Sequence, residues 1–271
     1  MNRRRIATVL LMAVLIAVML WIGINRGKAD GNAGGTAEGG AQENGQETQE
    51  GAGELRKTDA QLRVDREGRI LEGWAEPPCI VLDPGHGGFD PGKVGINDAP
   101  EKEVNLEVAK LVRDFLEASG VKVVMTREED QALCESGQDN MKVRDLKQRI
   151  AVIEGADPCA AVSIHQNSYP KEYVHGAQVF YYVNSVEGKK LAETLQSRLA
   201  KELDPENNRQ VKDNNSYYLL KKTKVPLVIV ECGFLSNWEE AEKLCTAEYQ
   251  ESVAWAVYLG IMDYLEEKGT G

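Results

Sequence analysis

Residues 78–268 are predicted to form one α/β domain, a mostly parallel central sheet flanked by helices, preceded by a transmembrane anchor and a disordered linker. Three observations carry this. From Pro78 onward, short apolar runs alternate with longer stretches of helical period, the order expected when parallel strands are joined by crossover helices. Before that point, residues 27–77 contain little that is apolar, and Gly, Ala, Glu, Gln, Asn and Thr dominate as far as about Lys57. At the start of the chain, Arg3, Arg4 and Arg5 precede an uncharged run from Ile6 to Ile24.

The uncharged run is long enough, at about 1.5 Å per helical residue, to cross a hydrocarbon layer of about 30 Å. Residues 1–26 are therefore read as an anchor or signal segment. A cleaved signal would need a shorter apolar stretch and small residues at the cut, and Gly27-Lys28-Ala29 is a weak match. Three arginines before the run outweigh Arg26 and Lys28 after it, which places the C-terminal domain outside the cytoplasm. The segment after the run lacks the apolar surface needed to offset the entropy of ordering and is read as a flexible acidic linker. At its end, Leu62-Arg63-Val64 and Arg69-Ile70-Leu71 flank Glu67-Gly68 in the pattern of a short hairpin.

Within the domain, strands are predicted at Cys79–Asp83, Val121–Thr126, Cys159–Ser163, Ala177–Val183 and Leu227–Glu231. Helices are predicted at Glu101–Ser119, Val143–Glu154, Val186–Lys201, Trp238–Cys245 and Glu248–Glu267. The formal net charge of −11, with basic residues scattered after the first five positions, excludes a nucleic-acid footprint. The five cysteines form no C-x-x-C pair, and several sit in apolar runs. They are read as buried free thiols, without a disulfide framework or a zinc knuckle.

In open α/β sheets, ligands gather beyond the carboxyl ends of the strands. Two of the three histidines follow apolar strands directly: His86 in Asp83-Pro84-Gly85-His86-Gly87-Gly88, and His165 in Ser163-Ile164-His165-Gln166-Asn167. Glycines around His86 allow the sharp bend that displays the imidazole at the strand tip. Helical periodicity then chooses between two nearby carboxylates. Glu101 shares a face with Val104, Val108, Leu111, Val112 and Phe115, with Leu106 falling off it, whereas Glu103 shares one with Glu107, Lys110 and Asp114.

An inward carboxylate is costly unless a positive charge meets it. Two histidines and one carboxylate with an open fourth position make a catalytic zinc site, so His86, Glu101 and His165 are the predicted ligands of Zn2+. Glu231 closes the apolar run Val225–Val230 and is the predicted acid and base. Ser236 or Asn237 is expected to cap the following helix, with Glu239 and Glu240 serving its first turn. His175, before Gly176, is left out of the ligand set.

Gly87 to Lys93 also fits G-x-x-x-x-G-K, the outline of a phosphate-binding loop. Residue 94 is Val where Ser or Thr would hold magnesium, and no helix is expected directly after Lys93. Nucleotide binding is set aside.

These residues resemble the zinc-dependent N-acetylmuramoyl-L-alanine amidases. The resemblance runs through Ile80–Gly88, Glu101-Lys102, Thr126-Arg127, Ser163–His165, Gly176 and Val230–Asn237, and spans about Cys79 to Leu265. It implies hydrolysis of the amide between N-acetylmuramic acid and L-alanine in peptidoglycan, with one zinc ion on His86, Glu101 and His165 and with Glu231 as catalytic glutamate. Division-linked members carry an inhibitory helix after the second histidine, and the short spacing from His165 to Gly176 leaves no room for one. The short N-terminus, without wall-binding repeats, is most similar to the germination-specific amidases of the spore cortex. The expected partners are peptidoglycan, the membrane through the N-terminal segment, and an activating protein. Two other readings compete: a catalytically silent wall-binding or regulatory module, and a zinc peptidase cutting within the stem peptide. Whether Asn167, Arg149 or Tyr217 touches substrate is left open.

Overall fold

The computed structural model describes residues 76–269 except Ser136 and Gln138, together with Trp74 and two short paired segments, β1 (Arg63–Val64) and β2 (Ile70–Leu71). These two pair antiparallel, Arg63 opposite Leu71 and Val64 opposite Ile70, as the sequence suggests for a small hairpin. The predicted anchor, and the predicted linker apart from these few residues, lie outside the described residues. No helix among the described residues is long and apolar enough to cross a membrane.

The main sheet has six strands: β3 (Cys79–Pro84), β4 (Lys122–Met125), β5 (Ala160–Asn167), β6 (Gln178–Tyr182), β7 (Lys212–Asn214) and β8 (Leu227–Phe234). Their spatial order is β4-β3-β5-β8-β6-β7. The first four in that order run parallel; β6 pairs antiparallel with β8, and β7 runs parallel to β6. The sheet is thus parallel in its body and reversed along one margin, in keeping with the mostly parallel sheet expected from the sequence. The reversal follows from the short link between β5 and β6, which carries no helix and so supplies no crossover of the kind a parallel return needs.

Helices α1 (Glu101–Ala118), α2 (Met141–Gly155), α3 (Val186–Leu203), α4 (Tyr218–Lys222), α5 (Trp238–Leu244) and α6 (Ala247–Gly269) cover the sheet. Period-2 alternation sorts the strand residues between two faces. Ile80, Leu82, Val162, Ile164, Val228 and Val230 pack under α1, α3 and α6 in the larger core. Val81, Ala161, Leu227 and Ile229 meet Ile153 of α2 and Leu219 and Leu220 of α4 in the smaller one. Trp74, ahead of β3, packs against the larger core.

Local chemistry sets the helix ends. Ser185 caps α3 by accepting from Gly188 N, and Asn237 caps α5 by accepting from Glu240 N at 2.9 Å. Helix α6 is buried along much of its length and lies against α3. The contact is close because residue 260 is glycine: a Cβ there would stand 2.7 Å from Leu195 Cα. Arg198 of α3 and Asp263 of α6 add a two-pronged ion pair, with N···O distances of 2.6 and 2.8 Å.

All five cysteines are free. The expectation that they are buried holds fully for Cys232 alone; Cys79, Cys134 and Cys159 are half-buried and Cys245 is exposed. Cys245 lies just past α5, at the surface rather than in the apolar body of an element.

Candidate metal centre

The tip of β3 is where the chain turns most sharply. Gly85 N donates to Ile164 O at 3.0 Å, after which His86 adopts φ 63°, in the left-handed region that a β-carbon disfavours. Two buried arginines hold this bend. Arg127 donates to Pro84 O and Gly85 O at 3.0 Å each, and Arg149 donates to Pro84 O at 2.7 Å and to His86 O. The Arg149 charge is balanced by Asp83 at 2.7 Å and Asp145 at 2.6 Å. Asp83 also accepts from Thr126 and Ser163 hydroxyls at 2.7 and 2.6 Å. Burial pushes the Asp83 carboxyl up, but Arg149 and the two hydroxyls outweigh it and hold its pKa down at about 2. Arg149 is therefore committed to the frame beneath the site.

The start of α1 brings in the carboxylate. Glu101 is 4% exposed and Glu103 is exposed, so the face chosen by periodicity is the inward one. Leu106, placed off that face by the sequence, is buried as well. Glu101 Oε2 accepts from Lys93 N at 2.8 Å and Oε1 from Gln166 N at 3.1 Å. The same two oxygens lie 3.3 Å from His86 Nε2 and 2.9 Å from His165 Nδ1. Burial raises the Glu101 carboxyl, yet the two imidazoles carry it far below the usual carboxylate range. Gly92, with φ 69°, leaves room for this approach: a Cβ there would stand 2.6 Å from Glu101 Oε2 and 2.7 Å from His86 Cδ2.

His86, Glu101 and His165 each offer a ligand atom within 4.8 Å of the others. The two rings sit 4.9 Å apart at 79°. His86 Nδ1 faces Asp90 Oδ2 at 3.0 Å, which orients the ring with Nε2 toward Glu101, and Lys142 lies 3.0 Å from the other Asp90 oxygen. Burial pulls the His86 pKa down, but hydrogen bonding and charge from Glu101, then Asp90, raise it overall. Two nitrogens and one oxygen around a single point form the donor set of an open zinc site. The donors fit that ion, and without a cation the buried carboxylate has only imidazoles and N–H groups to meet it.

Glu231 stands on β8 directly opposite His165 in the parallel register. It is 8% exposed, and its Oε2 is buried with no hydrogen-bond partner. Burial pushes its pKa up to about 7, with His165 opposing and Glu101 reinforcing that shift. A carboxyl held near neutrality, with a bare oxygen beside a cation site, is suited to exchanging protons.

Sequence reasoning missed several contributors. Asp90 carries a faint signal, an acid four residues beyond His86 in a Gly/Pro-rich turn. Glu240, assigned only to the first turn of α5, also accepts from Phe234 N at 2.8 Å and Gly176 N at 3.0 Å, tying the tip of β8 to the start of β6. No spacing rule announces such a tie. His175 stands apart from the metal cluster, with its carbonyl accepting from Arg209 Nε at 2.8 Å. Asn167 and Tyr217 line a cleft of about 490 Å³ next to the site.

A family model described as N-acetylmuramoyl-L-alanine amidase, Amidase_3, matches residues 80–263. The germination-specific N-acetylmuramoyl-L-alanine amidase of Bacillus subtilis (strain 168) is 42% identical over 202 residues, 72% of this chain and 84% of that protein. Among solved structures, the CwlD amidase from Clostridioides difficile in complex with the GerS lipoprotein matches with a TM-score of 0.68 at 38% identity, covering 70% of this chain and 98% of that one. The amidase AmiC2 of Nostoc punctiforme matches with a TM-score of 0.61 at 34% identity, over 70% of this chain and 97% of that one.

Proposed function

This chain belongs to the N-acetylmuramoyl-L-alanine amidase family, and on that premise we propose that it hydrolyses peptidoglycan with zinc held by His86, Glu101 and His165 and with Glu231 as acid and base. The bond cut is the amide between the lactyl group of N-acetylmuramic acid and L-alanine. One observation carries the division of roles: three ligand atoms within 4.8 Å of one another, with the unpartnered carboxylate of Glu231 on the neighbouring strand.

Zinc, when bound there, supplies Lewis acidity that makes water a nucleophile near neutral pH and polarises the scissile carbonyl. The protein's part is positional and protonic. Asp90 fixes the His86 ring, and the N–H groups of Lys93 and Gln166 hold the Glu101 carboxylate. Glu231 Oε2 takes a proton from the attacking water and returns it to the departing alanine nitrogen, so the carboxylate ends as it began. Its lack of a hydrogen-bond partner leaves that oxygen free for both transfers.

The likeness to a germination-specific relative supports a cortex substrate, with action outside the cytoplasm; the uncharged run Ile6–Ile24 is what supports residues 1–26 as a tether. The CwlD structure is described in complex with a lipoprotein, which supports a protein partner here as well.

The zinc-loaded chain is expected to release stem peptides bearing a new alanine amino terminus, read by product mass. Chelation, or Glu231→Gln, should lower turnover by about a thousandfold or more. Muropeptides left intact by the chain at full zinc occupancy overturn the reading.

A further inference from the structure

Beside Glu231 the molecule has a cleft whose chemistry differs from the rest of its surface. In a chain of net charge −11, the residues lining this cleft include Lys171, Arg209 and Lys212 and no aspartate or glutamate. It opens next to the reacting groups. Gln178, on its wall, is the register partner of Glu231, and Asn167 and Phe234 end the two central strands that carry His165 and Glu231.

The three cations are held in place by neutral neighbours. The Arg209 guanidinium lies 4.8 Å from the centre of the Phe234 ring, with Nε on His175 O and Nη1 on Gln178 Oε1 at 3.3 Å. Lys212 Nζ sits 5.8 Å from the Phe180 ring centre and Lys171 Nζ 5.7 Å from that of Tyr173. Glu240, which feels the Arg209 charge, has its oxygens on two backbone N–H groups. Among the described residues, then, none of the three pairs with a carboxylate, and Arg209 is stacked and oriented with donors to spare.

We infer that this cleft is a subsite for a free carboxylate of the stem peptide, with Arg209 as the specificity-determining residue and Lys212 and Lys171 assisting. The inference rests on the amidase reading above. Its chemical basis is that forming the scissile amide consumes the lactyl carboxyl of the sugar, which leaves a neutral glycan; the anionic groups of the substrate are on the peptide side. An acidic residue following L-alanine and linked onward through its side chain presents an ionised α-carboxylate close to the cut. Where that group is amidated, the charge is lost and the half-buried Arg209 guanidinium is left without its anionic partner.

The test uses the zinc-loaded full chain and two muropeptides that differ only in this group, carboxylate or carboxamide. The unmodified protein is expected to favour the carboxylate by about tenfold in kcat/KM, expressed mainly in KM and shrinking as salt is raised. Arg209→Gln should bring the ratio close to one. Lys212→Gln, on the exposed margin of the sheet, should reduce it partially and serves in place of the arginine variant if that one fails to fold. Equal cleavage of both substrates by the unmodified protein, or an unchanged ratio in the folded variants, overturns the subsite while leaving the amidase reading intact. Cleavage of neither substrate overturns the amidase reading and the subsite with it.

Discussion

Asp83 shows how a residue far from any reaction governs the geometry of one. Its carboxylate is fully buried against Arg149, which in turn holds the carbonyls on either side of the bend that displays His86. Because its folded pKa, about 2, lies below the unfolded value of about 3.9, the stabilisation it gives is present above about pH 4. That stabilisation, roughly 2 kcal/mol, is lost as pH falls through about 2. Denaturant titrations between pH 2 and 7 should show this acid limb, and Asp83→Asn should flatten it while lowering stability at neutral pH, since buried Arg149 loses a counter-charge. The four proposed reacting and ligating residues were visible in the sequence because each follows or opens an element with a strong apolar signature. Asp83, Asp90 and Glu240 were not, because what each does depends on contacts between segments far apart or inside an irregular loop.

At the scale of elements, the long apolar strands and amphipathic helices announced themselves, and their ends did not. β5 continues to Asn167 and β8 to Phe234, past the apolar runs predicted to end at Ser163 and Glu231, because the two strands go on pairing with each other. β7 escaped notice since Lys212-Asp213-Asn214 is wholly polar and becomes a strand only by pairing with β6. The reversed direction of β6 was marked only by the short helix-free link that leads into it from β5. Packing between helices is where a single atom matters. Gly260→Ala would push a methyl group into the Leu195 backbone and should cost roughly 1–3 kcal/mol, measured as a lowered denaturation midpoint with an unchanged slope.

For the whole molecule, the metal and the fold are thermodynamically linked, because a ligand that binds only the assembled site stabilises it by mass action. Zinc at about a hundred times its dissociation constant should raise the melting temperature by about 5–10 °C. Glu101→Gln should abolish most of that rise, and a rise that persists in this variant would place the ion elsewhere. The protons released on binding make the effect weaken under acid conditions, as the imidazoles compete for H+.

The parallel pairing of β3, β5 and β8 also has a kinetic corollary. The strands that deliver His86, His165 and Glu231 neighbour one another in space but are separated by long intervals of chain, and each must wait for its crossover segment to close. Hydrolytic power therefore requires the parallel body of the sheet to be complete, since each of these strands delivers a different member of the site. A copy of this wall-cutting enzyme in which any one of the three strands is out of register lacks a member of the site and cannot cut.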